Sequence, residues 1–325
     1  MNILFILIMI MGTTITISSS NWMGMWMGLE INLMSFIPLI YKTNNIKSSE
    51  SSIIYFLAQS IGSMIMIFSI MLNPFITLKI MNEMNNIILM MAILLKLGAA
   101  PMYMWFVNMM TNMHWKEMFL LMTWQKISPM YILSMMSNNK WMYLMIILST
   151  IMGAIGGMNM TSLNKIMAYS SINHMGWMMM LTMMQSSWIK YLIVYSIILL
   201  MMCMFFNYYN YYNIGQVMNK SSSLIEKYTC SSMLLSMGGL PPFLGFLPKW
   251  MTIQSMINNN LNMIMLIMLM MSMITLFYYM RMISSLLMIY SSSNKWTSQK
   301  TINNKMMYLM YINLLLPTVS IFSFY

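Results

Sequence analysis

Apolar stretches of membrane length follow one another along almost the whole chain, separated only by short clusters of Asn, Ser and Lys. In a bilayer every backbone N–H and C=O must be bonded within the protein, which leaves helices and closed barrels as spanning structures. Barrel strands alternate apolar and polar residues over about ten positions. These runs are continuously apolar and much longer, so the expected class is an all-α polytopic membrane protein. Eleven transmembrane helices are expected, at 3–19, 22–41, 53–73, 86–107, 118–136, 141–158, 162–184, 188–208, 229–256, 261–290 and 306–324. Hydrophobic residues make up 60% of the chain and charged residues 6%, which excludes an ordinary soluble domain. Only 209–228 and 291–305 read as substantial loops.

The net charge of +11 does not indicate a nucleic-acid partner, because the lysines are scattered singly rather than gathered on one polar face. Topology accounts for them. Connections after even-numbered spans hold Lys42, Lys47, Lys116, Lys165, Lys220, Lys227, Lys295, Lys300 and Lys305, with Arg281 close by. Those after odd-numbered spans hold only Lys79, Lys140 and Lys190. The positive-inside rule then puts the N-terminus on the matrix or cytoplasmic side. An odd number of spans puts the C-terminus on the other. The first apolar segment lacks a basic region before it and reads as a retained span.

The fourth and ninth spans share a pattern. LKLGAAPMYMWF (95–106) and MGGLPPFLGFLPKW (237–250) each interrupt an apolar helix with Gly followed by Pro. Gly98 and Pro101 mark the first break; Gly239, Pro241 and Pro242 mark the second. Each break has a lysine close to it, and each is the fourth member of a five-helix block. The blocks are 1–136 and 141–290, with a C-terminal helix at 306–325. Because five is odd, the second block is inverted relative to the first. Paired interrupted helices of this kind point to an ion pathway.

Glu30, Lys96, Lys126 and Lys249 each lie inside an otherwise apolar, membrane-length stretch. A charge at the bilayer centre costs roughly 2.5–3.5 kcal/mol on insertion scales, so such residues usually serve transport. Glu30 can stabilise a facing cation; the alternative is a structural ion pair. Lys96 directly precedes the first break, too deep for its ammonium to snorkel easily. Lys126, with Pro129 three residues on, can pass a proton laterally from Lys96. Lys249 follows the second break as a candidate exit-side base, or else as an interfacial anchor. In SLNKIMAYSSINHMGW (162–177), His174 adjoins the polar run Ser170, Ser171, Asn173, and an unperturbed imidazole titrates near neutrality. It reads equally as a relay or as a hydrogen-bonded core residue. Lys165 at that helix start reads as an anchor or as part of the relay.

Other features carry less. Cys203 and Cys230 form no CxxC pair, His114 has no partner at metal-ligand spacing, and GAIGG (153–157) follows no strand. No redox cofactor or metal is therefore expected on this chain. The 56 methionines are what an AT-rich animal mitochondrial gene produces if AUA is read as Met.

The segments SNWMGMWMGLEINLMSFIPLI, LLKLGAAPMYMWF, MTWQKISPM, TSLNKIMAYSSINHMGW and GGLPPFLGFLPKW resemble those of the chain 2 family of mitochondrial NADH:ubiquinone oxidoreductase, in the family's order. These are antiporter-like subunits of respiratory complex I, similar also to subunits of multi-subunit sodium/proton antiporters. The resemblance runs from near the N-terminus to about residue 285. It implies the eleven-helix, inverted-repeat fold and a location in the mitochondrial inner membrane, with the N-terminus in the matrix and the C-terminus facing the intermembrane space. It also implies that Glu30 is the essential membrane glutamate and Lys96 its partner, that Lys126 is the connecting lysine, and that Lys249 is the lysine of the second broken helix. His174 and Lys165 fall in the shared central signature. Sister subunits carry an acid just before the AYSS segment, where this chain has Asn164.

The implied function is proton translocation coupled to electron transfer from NADH to ubiquinone. FMN, iron–sulfur clusters, NADH and ubiquinone would be bound elsewhere in the parent complex. Implied partners are neighbouring complex I subunits, especially antiporter-like ones, and membrane lipids. Two other readings remain: a cation/proton antiporter subunit with no link to NADH, and a scaffold whose buried charges only fix packing.

Overall fold

The computed structural model describes residues 2–42, 45–72, 79–136, 140–220 and 224–291, together with Tyr311, Asn313 and Leu314. The described residues form fourteen α-helices and a single isolated bridge between Ser162 and Asn213. The chain divides after Ser149 into two compact units. The first contains α1 (Asn2–Ser18), α2 (Trp22–Ile40), α3 (Ile46–Leu72), α4 (Lys79–Leu97), α5 (Met104–Thr111), α6 (Trp115–Met122) and α7 (Trp124–Met135). Helix α8 (Trp141–Gly157) runs into the second, which continues with α9 (Leu163–Met183), α10 (Trp188–Tyr209), α11 (Ile214–Lys220), α12 (Leu224–Gly238), α13 (Phe246–Asn258) and α14 (Asn262–Ser291). The expected C-terminal helix at 306–324 lies outside the described residues, apart from those three.

Among the described residues, Trp22–Ile40, Ile46–Leu72, Trp188–Tyr209 and Asn262–Leu286 are each long and apolar enough to cross a membrane unaided. In water the outer face of α3, with Ile53, Leu57, Ile61, Met64 and Phe68 exposed, would be an aggregation surface; in lipid it is matched to its solvent. Inside the first unit, α1 and α2 approach closely because Gly12 and Gly28 have no side chains. A Cβ on Gly28 would collide with Thr16 and the Gly12 carbonyl, and one on Gly12 would lie 3.0 Å from the Asn32 nitrogen. Small residues allow this contact where there is no hydrophobic drive between helices. In the second unit α9 is central: every side chain from Leu163 to Thr182 is buried except that of Lys165. A helix covered on all sides needs no polar face.

Several boundaries differ from the sequence reading. Helix α3 starts at Ile46 rather than 53, because the serines of KSSESS bond locally instead of marking a loop: Ser48 Oγ donates to the Asn45 carbonyl (2.7 Å) and Ser51 Oγ to the Ser48 carbonyl (2.8 Å). The span expected at 118–136 is interrupted at Thr123, whose hydroxyl donates to the Phe119 carbonyl (2.7 Å). Such back-bonding loosens a helix. The stretch read as a loop at 209–228 contains α11 and the first turn of α12, and buries Lys227, which the charge pattern had assigned to a loop.

The two Gly–Pro breaks share one backbone solution. At the end of α4, Gly98 has φ +67, its N–H bonds the Leu95 carbonyl (3.1 Å), and the Ala99 N–H bonds the Leu94 carbonyl (3.1 Å). At the end of α12, Gly239 has φ +75, with Gly239 N–H to Ser236 (3.0 Å) and Leu240 N–H to Leu235 (3.3 Å). Both are Schellman motifs, which need a left-handed residue at the position after the cap. Replacing Gly98 or Gly239 with Ala is therefore expected to cost about 1–2 kcal/mol each from backbone conformation alone. Gly215→Ala, where an added Cβ meets nothing within 4 Å, should leave the thermal transition of the purified protein unchanged.

Candidate functional site

The first unit holds three of the charges Glu30, Lys96, Lys126 and Lys249: Lys96 and Lys126 line one small cavity, and Glu30 faces Lys96. Lys96 occupies the last turn of α4, where the Schellman turn leaves carbonyls that cannot continue the helical ladder. Those carbonyls are capped by side chains: the Trp105 indole donates to Leu95 (3.0 Å) and the Gln59 amide to Lys96 itself (3.0 Å). Gly62 on α3 makes room for the lysine stem, since a Cβ there would lie 3.0 Å from Lys96 Cγ. The Lys96 ammonium reaches across to Glu30 on α2, with Nζ 3.9 Å from Oε1. At that length the groups attract each other without a hydrogen bond, and Glu30 Oε1 accepts none. The Lys96 side chain is 2% exposed and that of Glu30 is 23% exposed, so the acid is the less buried end of the pair.

Lys126, on the first turn of α7, is buried, with its ammonium 5.8 Å from the Phe106 ring centroid. That is within cation–π range. Pro129 has no N–H to offer the Gln125 carbonyl one turn back. A cavity of about 20 Å³ is lined by both Lys96 and Lys126, with Asn32, Tyr55, Gln59 and Gln125 supplying polar groups. A site of roughly 10–15 Å³ with several polar neighbours holds a water, so this space suits one water in contact with both lysines. Gln125 fixes one wall by donating to Asn32 Oδ1 (3.0 Å) and accepting from the Tyr55 hydroxyl (3.2 Å).

The second unit holds Lys249 and His174. Lys249 follows its break and reaches back across it, donating from Nζ to the Gly238 carbonyl (2.8 Å). Gly239 lies flush against the lysine stem, its absent Cβ replaced by Lys249 Cδ and Cε. The ammonium also stands 5.9 Å from the Trp177 ring centroid on α9. One turn earlier, His174 Nδ1 and the Tyr191 hydroxyl are 2.7 Å apart, and the Tyr195 ring lies 4.7 Å from the imidazole. Lys165 is half-buried at the first turn of α9. With a rise of about 1.5 Å per residue, it is roughly 18 Å along the helix from Trp177. Asn164 is buried beside it. Pro101 and the Pro241–Pro242 pair are exposed and follow the turns they help to terminate.

Sequence reasoning found the charges and the breaks but not Asn32, Tyr55, Gln59 or Tyr191. Gln59 and Gln125 were visible as lone amides in apolar spans, a signal of the same kind as the charges. Outside the spans, Lys42 pairs with Glu117 at 2.8 Å, and Glu117 also accepts the His114 N–H (3.3 Å). His114 therefore starts α6. Among the described residues no group of three or more His, Cys, Asp or Glu could hold a metal, and Cys203 and Cys230 are free and buried.

Fold and site together define a polytopic helical membrane protein with charged groups held at interrupted helices. Residues 19–275 match the family described as NADH:quinone oxidoreductase/Mrp antiporter, transmembrane. NADH-ubiquinone oxidoreductase chain 2 of Anopheles gambiae is 41% identical over 312 residues, covering 94% of this chain and 91% of that one. The fold is similar to a chain of respiratory complex I from Thermus thermophilus (TM-score 0.82, 16% identity, 96% of this chain and 76% of the other). It is also similar to a chain of the Mrp complex from a Dietzia species (TM-score 0.76, 13% identity, 86% and 59%). The chain belongs to the NADH-ubiquinone oxidoreductase chain 2 family.

Gln125→Leu removes the bridge between Asn32 and Tyr55 and leaves both partners short of a bond inside the protein. It should lower stability by about 1–3 kcal/mol, read as a lower melting temperature of the purified assembly.

Proposed function

We propose that this chain is a proton-translocating core subunit of the membrane arm of respiratory complex I, an NADH:ubiquinone oxidoreductase. Electron transfer takes place in other subunits, where FMN and iron–sulfur clusters work, and no redox group sits on this chain. The observation that carries the mechanism is the stretched Glu30–Lys96 pair beside a cavity that also touches Lys126. At 3.9 Å the pair is held by attraction alone, so a small movement changes how strongly Glu30 favours the charged form of Lys96. With Glu30 near, Lys96 holds a proton. When the pair loosens, and once Lys126 has given up its own proton, Lys96 passes its proton through the cavity to Lys126: an N–H bond breaks on Lys96 and one forms on Lys126. Lys249 is the corresponding proton-holding group of the second unit, with His174 and Lys165 on the path that serves it.

Eleven membrane helices complete the fold, in two inverted five-helix blocks (1–136 and 141–290) with a further helix at 306–325. Support for the repeat comes from the matching Schellman turns at Gly98 and Gly239. The protein lies in the mitochondrial inner membrane with its N-terminus in the matrix and its C-terminus toward the intermembrane space, as the lysine distribution and the chain 2 relatives suggest. Its partners are neighbouring antiporter-like subunits and lipids, not nucleic acid.

Lys96→Met in the assembled complex is expected to reduce proton pumping and coupled NADH oxidation together, several-fold or more, at normal abundance. Full pumping at normal abundance would contradict the mechanism. The similarity in fold to an Mrp chain keeps an antiporter reading in view. Native-gel separation decides between the two: co-migration with NADH-oxidising activity supports complex I, and migration apart from flavin and iron–sulfur subunits supports an antiporter.

A further inference from the structure

The start of α13 has little support of its own. The helix begins at Phe246, and Pro248 is its third residue. Proline has no N–H to return to the Leu244 carbonyl four residues back. The entry to the helix is closed by three-residue bonds instead, Phe246 N–H to the Phe243 carbonyl (3.1 Å) and Leu247 N–H to that of Leu244 (3.2 Å). Turns of this kind have poorer hydrogen-bond geometry than α-helical ones. Lys249 comes next, as the fourth residue of α13, so whatever fixes this entry also fixes the lysine.

A residue much later in the chain ties the entry down. Asn313 belongs to the second unit and is fully buried. Its main-chain carbonyl accepts the Leu244 N–H (3.4 Å), and its side-chain amide donates to the Ser232 carbonyl (2.8 Å). Ser232 lies within α12, before the break at Gly239, whereas Leu244 lies after it. Asn313 therefore bonds to both sides of the interruption. Between those two points, Gly245 meets the Ser236 carbonyl so closely that a side chain would not fit. Packing alone does not call for an amide at 313. Its Oδ1 accepts no bond among the described residues, and burying a half-satisfied amide costs more than burying a leucine of similar size.

Lys249 depends on the same arrangement. Its ammonium donates back across the break to the Gly238 carbonyl (2.8 Å), and its stem fills the place of the missing Gly239 Cβ. Both contacts require α13 to start where it does. At the first break, support of this kind comes from Trp105 and Gln59.

We infer that Asn313 is a positioning residue for Lys249: by tying the start of α13 to α12, it holds the ammonium on the Gly238 carbonyl. The inference rests on the proton-translocation reading given above, and it gives a task to a residue outside both five-helix blocks.

The test uses the whole complex in sealed vesicles, with the initial rate of proton translocation measured per assembled particle and abundance read on a native gel. Asn313→Ala should slow translocation about tenfold or more, the scale on which a displaced group loses rate. Imaged in the same particles, Lys249 Nζ should stand beyond hydrogen-bond range of the Gly238 carbonyl, more than about 3.5 Å away. A role in stability alone predicts fewer particles, each with a normal rate and with Lys249 in place. If Asn313→Ala fails to assemble, Asn313→Leu decides, because it fills similar space without a donor. Asn313→Gln keeps the amide and should translocate faster than Asn313→Leu; a packing role predicts the reverse, since Gln adds a methylene to a fully buried site. A full rate in Asn313→Leu, or a slowed rate with Lys249 still on the Gly238 carbonyl, would overturn the positioning role and leave translocation by this chain standing. A full rate in Lys249→Met would instead overturn the reading on which that role depends.

Discussion

A lysine inside a membrane keeps its charge only where the protein replaces the water it has lost, and in this chain that replacement comes from interrupted helices. Ending α4 at Gly98 and α12 at Gly239 frees backbone carbonyls at depths where an unbroken helix has none to offer. The two units use them differently. Lys249 donates directly to the freed Gly238 carbonyl. At the first break the carbonyls are taken by Trp105 and Gln59, which leaves the Lys96 ammonium free to face Glu30. One break thus holds its lysine, and the other releases it to an ion pair that is itself long. The glycines serve twice, since the conformation that ends the helix also removes a Cβ that would strike Phe106 in one case and Lys249 in the other.

Energetics favours a loose pair for transport. A short, fully bonded buried ion pair is expensive to break, at about 3–5 kcal/mol when one partner is removed. Such a pair would trap a proton. A 3.9 Å pair with a partly exposed acid attracts less and rearranges more cheaply. The neighbouring cavity gives the proton somewhere to go, because Lys126 lines the same space.

Much of this was legible in the sequence, and the reasons differ by feature. Glu30, Lys96, Lys126 and Lys249 stand out because charge is rare in apolar runs, and the Gly–Pro pairs stand out because both residues oppose helix continuation. The chain 2 resemblance carried the family, which the 41% identity to the mosquito protein bears out. Polar residues that satisfy one another were harder to read. Gln59, Gln125, Asn32 and Tyr55 meet only because α2, α3, α4 and α7 pack together, and no local pattern encodes that meeting. The serine-rich start of α3 looked like a loop because Ser hydroxyls favour turns in isolation, whereas here they bond within the helix. Lys227 looked like a loop charge and is buried in α12.

The most direct test of the account is the geometry of the Glu30–Lys96 pair in the assembled complex, imaged at rest and during steady NADH oxidation. The account expects two populations during turnover. In one the ammonium lies near Glu30; in the other it has withdrawn toward the cavity shared with Lys126. A single unchanged separation in every particle class, with pumping intact, would contradict it.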